Sequence, residues 1–431
     1  MSRTRRPQQF VELELDITDL SHDGRGVARH EGKAVFVTGA LPGEKVRAQV
    51  RVSRKQFDEG CTIEVLAASP HRVTPRCAHF GVCGGCVLQH LAPQAQVAAK
   101  QHTLAENFER IGQVRPERWL EPLVGEPWNY RRKARLGGKF VPKKGRVLAG
   151  FREAADPRFI ADVSRCEVLV EGVGSRVAAI ADLVDAMDAR AQIPQIEIAA
   201  GDDRTALVFR NLQPLSDEDR ARLVAFGERE GFAIFLQPGG NDTVVPIDGG
   251  AEELHFALPA HGVDYAFRPL DFIQVNGAMN QRMIDHALSL LDPAPYERVL
   301  DLFCGLGNFT LPLARRCAQV VGVEGDAGLV RRAHENARRN GIGDLRNAPW
   351  LRQGFDALLL DPPRTGADAT IAQLPLDGIG RIVYVSCHPG SLARDAGLLV
   401  RDHGYRLAAA GVMDMFPHTA HVESIALFEK G

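Results

Sequence analysis

The stretch Arg298-Val-Leu-Asp-Leu-Phe-Cys-Gly-Leu-Gly-Asn308 decides the fold of the C-terminal part of the chain. Its apolar first half predicts a buried strand, and the glycines that follow predict a turn into a helix. Glycines at such a turn let a ligand approach the backbone closely. A glycine loop alone is a weak signal, because dinucleotide enzymes use the same arrangement, but the G-x-G-x-x-G spacing of those enzymes is absent here.

Strands and helices alternate beyond this loop. Gln319-Val-Val-Gly-Val-Glu324 predicts a second strand, a helix is predicted to follow, and residues 355–361 and 381–386 predict later strands. From about residue 271 the pattern therefore predicts a doubly wound α/β domain. Glu324, at the end of the second strand, carries a carboxylate that can accept hydrogen bonds from both hydroxyls of a ribose.

The apolar stretch Arg381-Ile-Val-Tyr-Val-Ser-Cys-His-Pro389 predicts a strand that delivers Cys387 to the start of the next helix. Ligands of open α/β sheets bind at this carboxyl edge. The positive end of the helix predicts a lowered pKa for the thiol, which would favour a nucleophilic thiolate. The alternative for a single residue of this kind is a buried structural cysteine.

The composition is that of an ordinary globular protein. The chain has 431 residues, of which 45% are hydrophobic and 25% charged, with a formal net charge of −2. This length predicts two to four domains, and a nucleic-acid partner would have to be recognised by local charge. No long uncharged apolar span or apolar signal core is visible, so we expect a cytoplasmic protein.

A group of cysteines begins the middle part of the chain, in the pattern Cys77-x5-Cys83-x2-Cys86, and Cys166 follows much later. In a reducing compartment such a group predicts metal binding rather than disulfides. Four thiolates can hold zinc or a [4Fe-4S] cluster, and the spacing alone does not choose between them.

Two features bear on RNA. Short alternating runs over residues 10–68 predict a small OB-type β-barrel, and Gly24-Arg-Gly-Val-Ala28 resembles the TRAM domain, an RNA-binding barrel. A barrel without a ligand is the alternative. Between Arg131 and Arg146 the chain has eight Lys or Arg residues and no acid. With the aromatic residues around it, this basic segment predicts an RNA contact, and a solvated charged face is the alternative.

The sequence Asp361-Pro-Pro363 follows the strand at 355–361. Together with the glycine loop it resembles the class I S-adenosylmethionine (SAM) methyltransferases, in which a D-P-P-type loop positions the atom to be methylated. A strand that simply ends at a proline pair is the alternative. Near the C-terminus, Glu423 is the candidate base, and His418 and His421 are its rivals. A solvated glutamate before an edge strand is the alternative for Glu423.

These motifs together resemble the RNA uracil-C5 methyltransferases, in particular those of bacterial 23S rRNA, over nearly the whole chain. The resemblance implies a TRAM-like OB barrel over 1–68, a central iron–sulfur domain with the basic segment over 69–270, and a class I SAM-dependent methyltransferase domain over 271–431. It implies SAM and a [4Fe-4S] cluster as cofactors and 23S rRNA as partner, with no membrane and no obligate protein partner. The site residues it implies are Cys387 as nucleophile, Glu423 as base, Gln274, Phe303, Asn308, Glu324 and Asp361 as SAM contacts, and Cys77, Cys83, Cys86 and Cys166 as cluster ligands.

The chemistry of such a family explains the need for a thiol and a base. C5 of uracil is a poor nucleophile until a thiolate adds to C6 and forms an enolate. A base must then remove the C5 proton so that the cysteine can leave. Cytosine-C5 methyltransferases typically have a cysteine after the D-P-P-type proline, where this chain has Arg364. That difference favours uracil.

The chain departs from the family at two places. His388 stands where the family usually has asparagine, beside the nucleophile. After Gly341 only a short, largely polar connection leads to the strand at 355, so the third strand of the domain is predicted to be deleted. Asp344 and Asn347 are the candidates to replace its contact with the SAM adenine, and we expect weakened SAM affinity. A tRNA-directed enzyme and an RNA-binding protein with a decayed methyltransferase domain remain the alternatives.

Overall fold

The computed structural model describes residues 11–343 and 354–431. Within that part of the chain, no helix combines the length and the apolar character needed to cross a membrane. The described residues form a β-barrel, a central α/β domain and a methyltransferase-like α/β domain.

The N-terminal barrel confirms the prediction from the alternating pattern. Its strands are β1 (Val11–Asp16), β2 (Asp19–Leu20), β3 (Gly26–His30), β4 (Lys33–Thr38), β5 (Lys45–Ser53) and β6 (Phe57–Ala67). They are arranged in the order β1-β5-β6-β4-β3-β2. Alternate residues such as Val35 and Val37 are fully buried, while their neighbours face outward.

The middle of the chain contributes helices and strands to more than one sheet. In chain order these are α1 (Pro93–Asn107), β7 (Arg118–Trp119), β8 (Lys133–Val141), β9 (Arg146–Gly150), α2 (Glu171–Gly174), α3 (Val177–Asp185), β10 (Gln195–Ala200), β11 (Thr205–Arg210), α4 (Asp217–Glu230), β12 (Phe232–Gln237), β13 (Val245–Pro246), β14 (Leu254–Leu258) and β15 (Val263–Phe267). The central sheet has the order β13-β12-β11-β10-β8-β9. β14 and β15 form a separate hairpin.

The C-terminal domain follows the predicted alternation. It contains α5 (Gly277–Leu291), β16 (Arg298–Leu302), α6 (Thr310–Ala314), β17 (Gln319–Val323), α7 (Ala327–Arg339), β18 (Ala357–Leu360), α8 (Asp368–Ile371), β19 (Arg381–Ser386), α9 (Pro389–Arg401), β20 (Tyr405–Met413) and β21 (Glu423–Lys430). The sheet order is β17-β16-β18-β19-β21-β20-β7. β16 to β19 run parallel, and β21 is antiparallel to both of its neighbours.

The second strand of this domain, β17, is the edge strand of the described sheet. No strand pairs with its other edge among residues 11–343 and 354–431, and most of the connection on which the predicted deletion rests, residues 344–353, lies outside the described residues. Val320 and Val321 are accordingly only partly buried, whereas strands β16, β18 and β19 are almost entirely buried. Asp344 and Asn347, the predicted substitutes in the adenine site, lie outside the described residues.

The predicted boundary between the central and methyltransferase domains differs from the structure. β7 extends the methyltransferase sheet by pairing with β20 in parallel, so that Ala409 lies opposite Arg118. Leu104 of α1 belongs to the same apolar core as Leu392 of α9. Residues 93–119 are therefore part of the C-terminal domain. A local sequence pattern cannot reveal this, because the partners lie at the other end of the chain.

Candidate active site

One cavity of about 1370 Å³ lies between the methyltransferase sheet, the cysteine segment and the barrel. All of the site residues predicted from the sequence line it. They are Cys387, Glu423, Gln274, Phe303, Asn308, Glu324, Asp361, Cys77, Cys83, Cys86 and Cys166. His22 and Asp23 of the barrel also line this cavity. The two groups of predicted residues thus face one shared space.

The glycine loop has an unusual backbone that its surroundings hold in place. Phe303 has φ +65°, a region that a bulky residue rarely adopts, and Gly305 and Gly307 also have positive φ values. The Phe303 amide donates to Val323 O at 2.8 Å. Behind the loop, the buried hydroxyl of Tyr265 donates to Gly307 O at 3.1 Å. Strain of this kind persists where neighbouring groups fix it, as at ligand sites.

The carboxylate of Glu324 links the end of β17 to the loop. Its Oε2 accepts from the Gly305 amide at 3.0 Å, and its Oε1 accepts from the Asp326 amide at 2.9 Å. A carboxylate has about four acceptor positions, so positions remain on both oxygens for a ligand's hydroxyl groups. Because the side chain is only partly buried and lines the cavity, this geometry suits the predicted ribose contact.

A pair of amides holds Asn308 in place. Asn308 Nδ2 donates to Asn280 Oδ1 at 2.9 Å, and Asn280 Nδ2 donates back to Asn308 Oδ1 at 3.0 Å. Asn280 is a buried residue of α5 that the sequence reasoning did not single out. Its only signal in the sequence was its position in the helix that begins shortly after Gln274, a predicted SAM contact. Phe272 is 65% exposed and lines the cavity.

Cys387 directly follows the last residue of β19, Glu423 is the first residue of β21, and the two groups are close enough to interact electrostatically. Ser386 pairs with Ser424 in the antiparallel register of β19 and β21. One position further along each strand brings Cys387 opposite Glu423. The strand register therefore brings the predicted nucleophile and the predicted base together at the end of the sheet.

His388, which stands where the family usually has asparagine, occupies a capping position. It is the N-cap of α9, and its Nδ1 accepts from the Ser391 amide at 3.1 Å. The Ser391 hydroxyl donates to Arg364 O at 2.7 Å, which ties the helix start to the D-P-P loop. An imidazole nitrogen can accept a hydrogen bond as an amide oxygen does, so the substitution preserves the cap.

The predicted lowering of the Cys387 pKa is wrong. Burial, followed by the nearby Glu423 and Asp361 carboxylates, raises the pKa of this thiol from 9.0 to about 11, while Arg364 opposes the shift. Helix α9 does begin next to Cys387. The partial positive charge at its N-terminus lowers the pKa of the thiol less than burial and the carboxylates of Glu423 and Asp361 raise it. Sequence reasoning considered only the local helix and missed these neighbours.

The two carboxyl groups beside the thiol also have shifted pKa values. Burial raises the pKa of Asp361 from 3.8 to about 7. The pKa of Glu423 is raised well above 4.5 by burial and by Asp361, and Arg364 and Lys100 counteract this shift. A carboxyl group with a raised pKa can both take up and hold a proton near neutral pH, as a general base requires.

The two histidines proposed as rivals of Glu423 have different environments. His418 is 2% exposed, and its ring stacks on Trp128 with 3.9 Å between the ring centroids. Its carbonyl accepts from the amides of Val87 and Leu88 at 2.9 and 3.0 Å. His418 therefore connects the cysteine segment to the C-terminal loop. His421 lines the cavity, with Nδ1 3.3 Å from a nitrogen of the Arg364 guanidinium.

The four cysteines of the predicted cluster are free thiols at one wall of the cavity. Burial and the neighbouring thiolates raise the pKa of Cys83 to about 11 and that of Cys86 to about 12. Within the described residues, no three of these sulfur atoms lie within 4.8 Å of one another. A tetrahedral zinc site would need sulfurs about 3.8 Å apart, given Zn–S bonds of about 2.3 Å. The thiols are therefore too widely spaced for a preformed zinc cage.

The basic segment is less available to a partner than its sequence predicts. Arg132, Arg135, Lys144 and Arg146 each pair with an acid of the central domain. Lys133 is largely buried, donates to Asp271 O at 2.9 Å, and has a pKa lowered to about 8 by burial. Of this segment, Arg131 lines the cavity. Much of the charge thus stabilises the domain itself.

Comparisons with known proteins agree with this architecture. The sequence model of the TRAM domain matches residues 8–60, and that of tRNA (Uracil-5-)-methyltransferase matches residues 246–353 and 349–431. The 23S rRNA (uracil(1939)-C(5))-methyltransferases RlmD of Stenotrophomonas maltophilia (strain K279a) and Xanthomonas euvesicatoria pv. vesicatoria (strain 85-10) are each 58% identical over 444 residues, covering all of both chains. The chain belongs to the RNA uracil-C5 methyltransferase family. It is a SAM-dependent methyltransferase of RNA uracil.

The fold of this uracil-C5 methyltransferase is also that of a solved structure, the Pyrococcus abyssi tRNA (uracil-54, C5)-methyltransferase in complex with S-adenosyl-L-homocysteine. The TM-score is 0.72 at 23% identity, with 96% of this chain and 99% of that chain covered. The alignments with the two relatives extend over 444 positions, 13 more than the 431 residues of this chain. The two family matches meet at residues 349–353, where the sequence predicts a missing strand.

Proposed function

We propose that this enzyme transfers a methyl group from SAM to C5 of a uridine in 23S rRNA through a covalent bond between Cys387 and C6. The position of Cys387 opposite Glu423, at the cavity that the glycine loop also lines, is the observation that carries the mechanism. The substrate is supported by the full-length relatives, whose names specify 23S rRNA. Acting on ribosomal RNA would place the enzyme in the cytoplasm.

The residues of the loop fit the binding of SAM. Glu324 would hold the ribose hydroxyls, with Phe303, Asn308, Gln274 and Asp361 as the other contacts, because all of them line the same cavity. Bound SAM supplies an electrophilic methyl group on a sulfonium cation. A cation in this place would offset the carboxylates that raise the pKa of Cys387. We therefore expect the thiolate to form after SAM binds.

The chain's own residues then divide the reaction into two halves. The Cys387 thiolate would add to C6, and the electrons of the C5–C6 double bond would take up the methyl group at C5 as its bond to the sulfonium sulfur breaks, which leaves S-adenosylhomocysteine. Glu423 removes the C5 proton, the double bond re-forms, and the C6–S bond breaks to release the thiolate. To reach Cys387 the uridine must leave its stack, which costs a few kcal/mol. The cavity walls from the barrel and the central domain would offset that cost.

Transfer of labelled methyl from SAM to unmodified 23S rRNA tests this function, with Cys387→Ala as the matched variant. We expect label as 5-methyluridine from the wild-type enzyme and none from the variant. The same assay with tRNA tests the alternative substrate. RNA binding without any label in either RNA would support the alternative of a decayed methyltransferase domain and would refute the proposal.

We also infer that Cys77, Cys83, Cys86 and Cys166 hold a [4Fe-4S] cluster. The four thiols line one wall of the cavity, and their thiolates would repel one another, so together they suit a cationic group. Their sulfur atoms are too far apart to coordinate a single zinc ion. Such a cluster would connect the cysteine segment to the strand that carries Cys166. Anaerobic reconstitution should give about four irons and four sulfides per chain. The Cys86→Ser variant should lose them, and zinc bound in place of iron would contradict the inference.

A further inference from the structure

One face of α1 holds the loop that precedes Glu423. Residues 414–422 connect β20 to β21, and Glu423 is the first residue of β21. Gln96 and Lys100 lie four positions apart on α1, so they share a helix face. Both are buried, with 1% and 3% of their surface exposed. They contact a part of the chain that is 314 positions away from Lys100.

These two side chains bind alternate residues of the loop. Lys100 Nζ donates to Asp414 Oδ1 at 2.7 Å and to Phe416 O at 2.9 Å. Gln96 Oε1 accepts from the His418 amide at 2.8 Å. The first half of the loop is thereby held at three points by α1.

The first of these points is adjacent to the strand pair that carries the base. Met413 lies opposite Glu423 in the register of β20 and β21, and Asp414 is the next residue. The Lys100–Asp414 pair is buried, and a buried charge that loses its partner is strongly destabilising, so this contact is held firmly. The Lys100 ammonium also acts to lower the raised pKa of Glu423, which favours the ionised form of the base.

We propose that Lys100 is a positioning residue for proton abstraction: through Asp414 and Phe416 it fixes the direction in which Glu423 faces the C5 proton. This inference rests on the proposed function. Thiolate addition and methyl transfer do not use the base. Only the last step needs Glu423, in which the C5–H electrons form the C5–C6 double bond and the C6–S bond breaks. Loss of Lys100 therefore slows release of the methylated RNA and not its capture.

Two RNA probes separate these steps. In RNA with 5-fluorouridine at the target, C5 carries fluorine in place of the proton, so the methylated adduct forms but cannot break down. Its rate of formation reports on SAM binding, addition and methyl transfer. In RNA with uridine, a covalent adduct accumulates only when proton abstraction is slow. Glu423→Gln provides the reference for that behaviour.

The variants are Lys100→Met and the double variant Lys100→Met with Asp414→Asn. The double variant also removes the contacts of Lys100. Because Asp414→Asn replaces the carboxylate by a neutral amide, it leaves no unpaired buried charge, and this variant should fold more readily than Lys100→Met alone. His102→Ala is the matched control on the same helix, because the His102 side chain is 62% exposed. Adducts are counted as labelled RNA that stays bound to denatured protein.

We expect both Lys100 variants to form the fluorouridine adduct within about twofold of the wild-type rate and to release uridine product about 10- to 100-fold more slowly, as for a misplaced catalytic group. Covalent adduct with uridine RNA should accumulate in both, and not in His102→Ala. Release at the wild-type rate, or an equal loss of capture and release in the double variant, would overturn the inference. A wild-type enzyme that forms no fluorouridine adduct would instead refute the proposed function on which it rests.

Discussion

Replacing Glu423 by glutamine should make the thiol of Cys387 more reactive in the free enzyme, although it should abolish turnover. The pKa of this thiol is raised from 9.0 to about 11, with burial as the largest cause, followed by Glu423 and then Asp361. A rise of two pKa units lowers the thiolate fraction about 100-fold at pH 8. Because burial is the largest cause, removal of the Glu423 charge should restore only a part of this fraction, and a fall of half a pKa unit would correspond to about threefold.

Alkylation by iodoacetamide measures this effect, with the Cys387 peptide followed by mass spectrometry between pH 7 and 10. We expect the Glu423→Gln enzyme to react faster than wild type, by about threefold, at pH values at which Glu423 is ionised and the thiol is still protonated. Glu429→Gln, at the far end of the same strand, should leave the rate unchanged. An unchanged or slower rate in Glu423→Gln would show that the carboxylate does not raise the pKa of the thiol.

Three further predictions concern the cofactor loop and its supports. Calorimetry should give weaker SAM binding than in relatives that keep the third strand, since β17 is the edge of the described sheet; family-level affinity would contradict this. Burial raises the pKa of Asp301 from 3.8 to about 7, so its proton stabilises the fold at low pH and the free energy of unfolding should fall as the pH rises from about 4 to 7. In denaturant titrations, the free energy of unfolding of the Asp301→Asn variant should depend less on pH. An unchanged dependence would refute this role of Asp301. His388→Asn should keep the cap of α9 and the activity, whereas His388→Ala should cost about 1 kcal/mol in the same titration; equal stability of the two would argue against the cap.

Local patterns in the sequence were sufficient to predict most of the fold. The predicted strand and glycine loop at 298–308 are confirmed. Both could be predicted because the spacing of apolar residues and the glycines of a turn are visible in neighbouring residues. The same holds for the barrel, whose alternation matches the burial of its strands. The loss of the third strand stays a prediction, because most of the connection on which it rests lies outside the described residues.

The features that the sequence could not reveal depend on partners far away along the chain. The pKa of Cys387 is raised by acids on other strands, so the helix that follows it was a poor guide. The structural role of His418 depends on Trp128, and the importance of Asn280 depends on Asn308. Each needs the tertiary fold, because no local period or spacing predicts which side chains meet.

The pairing of β7 with β20 has a consequence for how the protein is made. Chains grow at about 5–20 residues per second, so the 314 positions between Lys100 and Asp414 correspond to about 15–60 s of synthesis. During that interval α1 exists without its partners, and Leu104 and Phe108, both buried in the finished core, have nothing to cover them. The barrel and the central domain can fold on the ribosome, but the catalytic half must wait for the last residues of the chain.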